Sequence, residues 1–111
     1  ITGAWVALRI ATEKMLLVGS ITRQPVLENV AAISCGIWQG MPVADLNYIE
    51  DSNAEIDANF VLSGNGGLVE IQATGEERPF RRDELDQLLD LAEAGCQQLF
   101  KLQDDAVRSA L

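Results

Sequence analysis

The chain has 111 residues, of which 48% are hydrophobic, and it carries a formal net charge of −9. This composition is too apolar for a disordered segment, and its length fits one domain or a pair of small subdomains. The acidic balance argues against nonspecific nucleic-acid binding by this chain alone, because phosphate contacts need Lys and Arg. No apolar run approaches the roughly 20 residues of a membrane span, so we expect no membrane association.

The chain contains no histidine and only two cysteines, Cys35 and Cys96. Nucleophilic catalysis of the Ser–His–Asp or Cys–His type is therefore excluded within this chain. A structural zinc site would need four thiolate or imidazole ligands, which the chain cannot supply. We expect both cysteines to be free and packed as small hydrophobic residues, as in a protein of the reducing cytoplasm.

The first residues show helical periodicity, with Trp5, Leu8 and Met15 at helical spacing. This pattern predicts a helix over residues 2–18, with Thr2 as a possible cap and Gly19 as the C-terminal stop. Its first half is apolar nearly all round, which favours a helix buried on several sides. A membrane-surface helix is disfavoured, because basic residues do not line one face. The immediate start in a helix, without an initial Met, suggests a fragment.

Four strands are predicted next, and they form two hairpins. Residues 30–38 are apolar or small on both faces, which is typical of a central strand. Residues 43–49 follow a Gln-Gly turn, and residues 56–62 form a third strand with an apolar face. The glycine-rich loop at 63–67 predicts a hairpin into a fourth strand at 68–73. A phosphate-binding loop is the alternative, but it would need a helix after it.

A long helix is predicted from about residue 82 to near Ala110. Its apolar stripe has i, i+3, i+4, i+7 spacing and consists of Leu85, Leu88, Leu89, Ala92, Cys96, Leu99 and Gln103. Gly95 within it costs up to about 1 kcal/mol relative to alanine, so we expect close packing there. The elements together predict an α+β domain, with a leading helix, a mainly antiparallel four-stranded sheet and a long C-terminal helix.

Five carboxylates lie within residues 45–57, and their sequence positions suggest a site: Asp45, Glu50, Asp51, Glu55 and Asp57. Asp51 and Asp57 would be roughly 20 Å apart on an extended chain, too far to share one metal ion. Ser52 and Glu55 have capping-box spacing, which predicts a helical turn between them. The turn would bring Asp51 and Asp57 together, whereas spacing alone leaves ordinary loop carboxylates as the alternative.

The densest basic feature comprises Arg78, Arg81 and Arg82, just before the last helix. These arginines have two interpretations that the residues alone leave open. They form a weak RNA-backbone-binding patch, or they are solvated residues at the start of a helix.

Three segments resemble the ribonuclease PH family of bacterial phosphorolytic exoribonucleases. They are VAAISCGI at 30–37, DLNYIEDSNAEIDAN at 45–59, and VEIQ at 69–72 followed by Pro79-Phe80 and the start of the last helix. The resemblance covers only the C-terminal half of the usual enzyme. It implies that residues 1–20 end a truncated N-terminal ribosomal-S5-like domain and that 21–111 form the C-terminal domain. Ala73 and Arg81 depart from the family pattern, which usually has glycine and a capping residue such as serine there.

The resemblance implies a cytoplasmic 3′-to-5′ exonuclease that uses inorganic phosphate to release nucleoside diphosphates from RNA 3′ ends, usually the 3′ trailer of precursor tRNA. It also implies a hexameric ring built from dimers. Asp51 and Asp57 match the positions that carry the chemistry, as Mg²⁺ ligands, with Asp57 also assisting proton transfer. Glu50 and Glu55 are expected to cap and solvate the turn, and Asp45 to be a strand-surface or ion-pairing residue.

The family's phosphate-binding Gly-Thr-Arg segment would lie just upstream of Ile1, so this chain is expected to be inactive alone. Two alternatives stay open: a non-catalytic ring subunit or RNA-binding module like those of the exosome, and a small acidic interaction domain unrelated to RNA. The presence of both Asp51 and Asp57 favours the enzyme, because inactive relatives tend to lose one or both.

Overall fold

The computed structural model describes residues 1–26, 28–44 and 52–111, and these residues form an α+β fold. The elements in chain order are helix α1 (Thr2–Leu17), strands β1 (Val30–Trp38), β2 (Met41–Ala44), β3 (Ile56–Ser63) and β4 (Leu68–Gly75), and helix α2 (Arg82–Ala110). The strands are arranged in the order β2-β1-β3-β4, and each neighbouring pair is antiparallel. The predicted fold class, with a leading helix and a long C-terminal helix, is confirmed.

The core lies between α2 and one face of the sheet. Alternate residues of β3 point into it, and all are at most 4% exposed: Ile56, Ala58, Phe60 and Leu62. Helix α2 contributes the residues of its apolar stripe, including Leu88, Ala92 and Cys96, which are fully buried. Both cysteines are buried and neither forms a disulfide bond, as predicted. The period-two pattern of β3 therefore separates a core face from an opposite face that carries Asp57.

Gly95 lies where α2 crosses β1. A Cβ atom added to this residue would lie 2.2 Å from Cδ1 of Ile33, far inside van der Waals contact. The close packing expected from a glycine in the middle of a helix is therefore confirmed. Glycine is the residue that lets the helix backbone approach the sheet at this point.

Strand β2 begins two residues earlier than predicted, at Met41. Gln39 and Gly40 both have positive φ, 52° and 74°, as a two-residue hairpin turn requires. This turn pairs Met41 directly with Trp38, so the strand starts immediately after it. Pro42 lies within the strand, which it can do because β2 is an edge strand. Residues 45–49 of the predicted strand lie outside the described residues.

Helix α1 differs from prediction in its cap. Residue Ile1 occupies the N-cap position without a side-chain hydrogen bond, and the Thr2 hydroxyl instead accepts a hydrogen bond from Gln103 Nε2 at 3.3 Å. Gly19 does follow the helix with a φ of 78°. Within the part of the chain that the structure describes, Trp5 and Thr12 are the buried residues of α1, so its burial on several sides stays a prediction. The helix packs mainly along α2, which covers one side only.

No helix in the described part of the chain is both long enough and apolar enough to cross a membrane.

The predicted hairpin loop at 63–67 is confirmed. Ser63 N–H donates to Gly67 O at 2.9 Å, and Gly67 N–H donates to Ser63 Oγ at 3.1 Å. Gly66 has a φ of 88°, a conformation that glycine adopts without strain. The loop leads directly into β4, so it serves the hairpin that joins the two strands.

Candidate active site

Asp57 lies on the central strand β3, on the sheet face that points away from α2. Its neighbours in sequence, Ile56 and Ala58, are 0% and 1% exposed and anchor the strand in the core. Asp57 is itself half-buried. In the sheet it pairs with Gly36 of β1 and Thr74 of β4. The strand therefore holds the backbone of this carboxylate on both sides, and the predicted face is confirmed.

The other candidate ligand, Asp51, lies outside the described residues, as do Asp45 and Glu50. The distance between Asp51 and Asp57 therefore stays a prediction. The structure does describe the residues between them, and Ser52 and Asn53 are helical. The predicted helical turn before β3 is confirmed at these two positions.

The sheet face around Asp57 is polar, and Oδ1 of Asp57 is buried within it. Asn59, two residues further along β3, pairs with Ser34 of β1 and Gln72 of β4. Asn59, Gln72 and Thr74 are exposed. Thr74 directly opposes Asp57, and the Cβ atoms of such pairs lie about 5 Å apart, so a hydroxyl group lies beside the Asp57 position. Gly36, which opposes Asp57 on the other side, is buried.

Glu55, two residues before Asp57, forms an ion pair that the sequence did not predict. Its Oε2 accepts hydrogen bonds from Nη2 and Nε of Arg78 at 3.2 and 3.4 Å. Glu55 N–H donates to Ile37 O at 2.8 Å, and Glu55 O accepts a hydrogen bond from Glu76 N–H at 2.9 Å. The expectation that Glu55 mainly caps and solvates the turn is therefore wrong. Its side chain ties the turn to the loop between β4 and α2.

Arg78 binds a second carboxylate, that of Glu84 in the first turn of α2. Nη2 and Nη1 donate to Glu84 Oε2 and Oε1 at 2.7 and 2.9 Å. Glu84 Oε1 also accepts a hydrogen bond from Arg81 N–H at 2.9 Å. These bonds, led by that from Arg78, lower the pKa of Glu84 to about 2. Glu84 is 5% exposed, and it stays ionised in this nearly buried position because of its cationic partner.

The start of α2 shows how Arg81 compensates for the absent serine cap. Arg81 occupies the N-cap position, and its side chain has no hydrogen-bond acceptor. Only the Glu84 half of a capping box can therefore form, and the Arg81 N–H supplies it. Arg81 also pairs with Asp83 at 3.0 Å. The helix start, which lacks the family's usual capping residue, is thus held by two carboxylates of its own first turn.

The three arginines of the basic cluster differ in their surroundings. Arg81 is exposed, with 69% of its side chain accessible, and Arg82 is also exposed. Arg78 is more enclosed and contacts two carboxylates. Sequence reasoning grouped the three and missed the role of Arg78, because its partner Glu55 is 23 residues away. The capping-box spacing of Arg81 and Glu84 is the signal that could have indicated the hydrogen bond from the Arg81 N–H to Glu84, but not the contacts of Arg78.

Of the two candidate Mg²⁺ ligands, Asp57 lies in the described part of the chain. Among residues 1–26, 28–44 and 52–111, no group of three or more His, Cys, Asp or Glu side chains could hold a metal ion. Mg²⁺ usually binds through one or two carboxylates and keeps several waters. Asp57 offers one such hard oxygen donor, and the neighbouring Asn59, Gln72 and Thr74 are exposed. If Asp51 contributes a second carboxylate, as the sequence predicts, the donor set matches this preference.

Comparison with known proteins assigns the chain to a family. Residues 28–95 match the model of the 3′ exoribonuclease family, domain 2. The chain therefore belongs to this family, and the resemblance read from its sequence is confirmed. The match includes Asp57 and the whole β-sheet.

Several similar proteins are named ribonuclease PH. The chain is 58% identical over 107 residues to that of Caulobacter vibrioides strain NA1000 / CB15N. It is 53% identical over 107 residues to that of Cereibacter sphaeroides strain KD131 / KCTC 12085. In both cases the match covers 96% of this chain and 45% of the relative. The chain thus spans about half the length of the curated relatives it matches.

Proposed function

We propose that this chain is the carboxylate-bearing half of a phosphorolytic 3′-to-5′ exoribonuclease that trims the 3′ trailer of precursor tRNA. The observation that carries the proposal is Asp57, held on a central strand within the segment that matches the 3′ exoribonuclease family. In the reaction, an oxygen of inorganic phosphate bonds to the phosphorus of the last linkage and the bond to the 3′ oxygen breaks. The products are a nucleoside diphosphate and an RNA one nucleotide shorter.

Asp57 has two roles in this proposal, and Asp51 has one. Together they hold Mg²⁺, which when bound neutralises the charge of the phosphate groups brought together at the site. Asp57 also assists proton transfer to the leaving 3′ oxygen. An anionic nucleophile attacks an anionic linkage here, so positioning and charge neutralisation dominate the barrier. A carboxylate fixed by paired strands on both sides meets the requirement for positioning.

The rest of the site belongs to sequence upstream of Ile1 in this proposal. That sequence supplies the Gly-Thr-Arg phosphate-binding segment, and residues 1–20 of this chain end its domain. The exposed Arg81 and Arg82 are candidates for weak contacts with the RNA backbone. The complete enzyme works in the cytoplasm as a hexameric ring of dimers, with precursor tRNA and other RNA 3′ ends as its partners.

The test uses two proteins. The first is this chain, and the second joins the upstream portion of the Caulobacter vibrioides ribonuclease PH to Ile1, which we call the completed protein. Both are incubated with an RNA that has a 3′ extension, inorganic phosphate and Mg²⁺, and nucleoside diphosphates are quantified. We expect release by the completed protein and none by the chain alone. Release by the chain alone would contradict the idea that it lacks the phosphate-binding segment.

Variants of the completed protein test the residue roles. Asp51→Asn and Asp57→Asn keep the size of each side chain but remove its charge, and each is expected to lower the rate at least about 100-fold. Asp105→Asn is the matched control, because Asp105 is an exposed residue near the C-terminal end of α2. Full activity in both site variants would refute the assignment. Binding of RNA without phosphorolysis by the unmodified completed protein would instead favour the non-catalytic ring subunit.

A further inference from the structure

Arg78 has every donor of its side chain engaged within the chain. An arginine side chain carries five N–H donors. Four of them point to Glu55 and Glu84, at distances from 2.7 to 3.4 Å. The fifth, on Nη1, donates to Pro79 O at 3.1 Å. To contact an RNA phosphate, Arg78 would have to give up these carboxylates, so an internal role is favoured over RNA binding.

The carboxylates that Arg78 joins belong to two parts of the fold. Glu84 lies in the first turn of α2 and is 5% exposed. Glu55 lies in the turn that precedes β3. Arg78 contacts Glu84 through both terminal nitrogens and Glu55 through Nη2 and Nε, so one planar guanidinium spans the gap. Lysine could not do the same, because its ammonium group is a single point charge.

The backbone around Glu55 makes this connection stiff. Glu76 and Glu77 N–H groups both donate to Glu55 O, at 2.9 and 3.4 Å. Gly75 approaches the carbonyl oxygen of Arg78 so closely that an added Cβ would lie 2.0 Å from it. The loop from β4 to α2 is therefore compact, and a shift of Arg78 is transmitted to the residue two positions before Asp57.

From this arrangement we infer that Arg78 is a positioning residue for the carboxylate site, which it orders by holding the turn at residues 52–55 against the start of α2. The inference rests on the proposed function, because it assigns Asp57 to cation binding. Asp57 is fixed by strand pairing, whereas Arg78 links the turn before it to α2. Asp51 directly precedes that turn in sequence. The link thus sets how the turn at residues 52–55 leads into β3 and Asp57.

Cation binding provides a test in which charge and positioning predict opposite signs. Replacing Arg78 with glutamine removes a positive charge near the site, which by Coulomb's law alone would tighten cation binding. If Arg78 orders the site, the same change weakens binding. We expect Arg78→Gln to raise about 10-fold the Mn²⁺ concentration that halves the NMR signals of the β3 amide groups. Substitution of residues that orient metal ligands commonly weakens metal binding by this amount. Mn²⁺ serves as a paramagnetic substitute, since it also prefers oxygen ligands.

Arg78→Lys and Arg108→Gln complete the set of variants. The lysine variant keeps the charge but cannot span both carboxylates, so its Mn²⁺ requirement is also expected to rise. If Arg78→Gln does not fold, as judged by circular dichroism, this milder variant gives the answer. Arg108 is an exposed arginine in the last turn of α2, paired with Asp105 at 2.6 Å. Its glutamine variant removes the same charge far from the site and should leave Mn²⁺ binding unchanged.

Asp57→Asn separates failure of this inference from failure of the proposed function. If the loss of β3 amide signals on addition of Mn²⁺ requires Asp57 but is unchanged or stronger in the Arg78 variants, the positioning role of Arg78 alone is overturned. If signal loss is the same in Asp57→Asn, the cation-binding role of Asp57 is wrong, and the inference falls with it. In the completed protein, the inference further predicts that Arg78→Lys raises the Mg²⁺ needed for half-maximal activity and that saturating Mg²⁺ restores most of the rate.

Discussion

The substitution Gly75→Ala should destabilise the fold at the loop that carries Arg78. The last residue of β4, Gly75, pairs with the fully buried Ile56. An added Cβ would lie 2.0 Å from the carbonyl oxygen and 3.0 Å from the carbonyl carbon of Arg78. Both contacts are with backbone atoms, so no side-chain rotation can relieve them. The loop must move by about 1 Å before the oxygen contact reaches even 3.0 Å.

The size of the effect follows from what that movement disturbs. Forcing a methyl group into a packed site typically costs about 1–3 kcal/mol. The same shift moves the two backbone N–H groups that donate to Glu55 O, and each hydrogen bond contributes about 1 kcal/mol. We therefore expect Gly75→Ala to lower the free energy of unfolding by about 3 kcal/mol, a large fraction of the stability of a domain of this size.

Urea denaturation followed by circular dichroism measures this effect. Gly3→Ala is the matched control, because Gly3 lies in α1 with no atom near the position of an added Cβ. The same substitution there should stabilise the chain by up to about 1 kcal/mol, because alanine is the better helix former. A Gly75→Ala variant within about 0.5 kcal/mol of the unmodified chain, at an unchanged m-value, would refute the reasoning.

Three further predictions concern α2. Gly95→Ala should destabilise the chain, because the added Cβ would lie 2.2 Å from Ile33 Cδ1. Ile33→Val removes that atom, so the double variant should be more stable than the sum of the two single effects predicts. Additive effects in a double-mutant cycle would contradict this. Gln103→Leu should lower the free energy of unfolding measured by urea denaturation by about 1–3 kcal/mol. It removes the 2.9 Å hydrogen bonds that the fully buried Gln103 side chain makes with Val30 O and Asn29 Nδ2. A decrease of less than about 0.5 kcal/mol would count against this prediction. The pKa of Glu84 is low, about 2, so its ionised form contributes stability above about pH 5, where the unfolded carboxyl is also ionised, and this contribution is lost as the pH falls towards about 2. The difference in free energy of unfolding between the unmodified chain and Glu84→Gln should therefore become smaller over that range. A difference that stays constant with pH would be the contrary result.

Most of the fold could be predicted from the sequence because its elements have clear periods. The alternation along residues 56–62 identified the core face of β3, and the stripe on α2 identified the residues that cover it. A single glycine within α2, Gly95, predicted a point of close packing, which the structure places at Ile33. Such inferences succeed because burial repeats at the period of the element, so each residue is supported by several others.

Inference was weaker where one local residue decided the outcome. Thr2 has the chemistry of a helix cap, yet its hydroxyl accepts a hydrogen bond from Gln103, a residue 101 positions away. The start of β2 depended on the conformation of a two-residue turn. The apolar character of helix α1 shows only what can be buried, and the described fold buries Trp5 and Thr12 of it.

The same distinction between periodic and local features applies to the candidate site. The strand and face of Asp57 could be predicted because they follow from the alternation of β3. The ion pairs of Arg78 could not, because they join Glu55 and Glu84 across loops whose geometry no periodic pattern determines. The predicted partnership of Asp51 with Asp57 stays a prediction, since Asp51 lies outside the described residues.

The connection between core and site runs through α2. Glu84 and Leu88 are one helical turn apart, and Leu88 is fully buried against the sheet. Packing of Leu88 fixes the rotation of the helix about its axis and therefore the position of Glu84. Glu84 in turn holds Arg78 against Glu55. The same helix therefore covers the apolar face of β3 and orders the turn leading to Asp57 on the other face. A cavity made by Leu88→Ala should accordingly weaken cation binding as well as stability, although no atom of Leu88 faces the site.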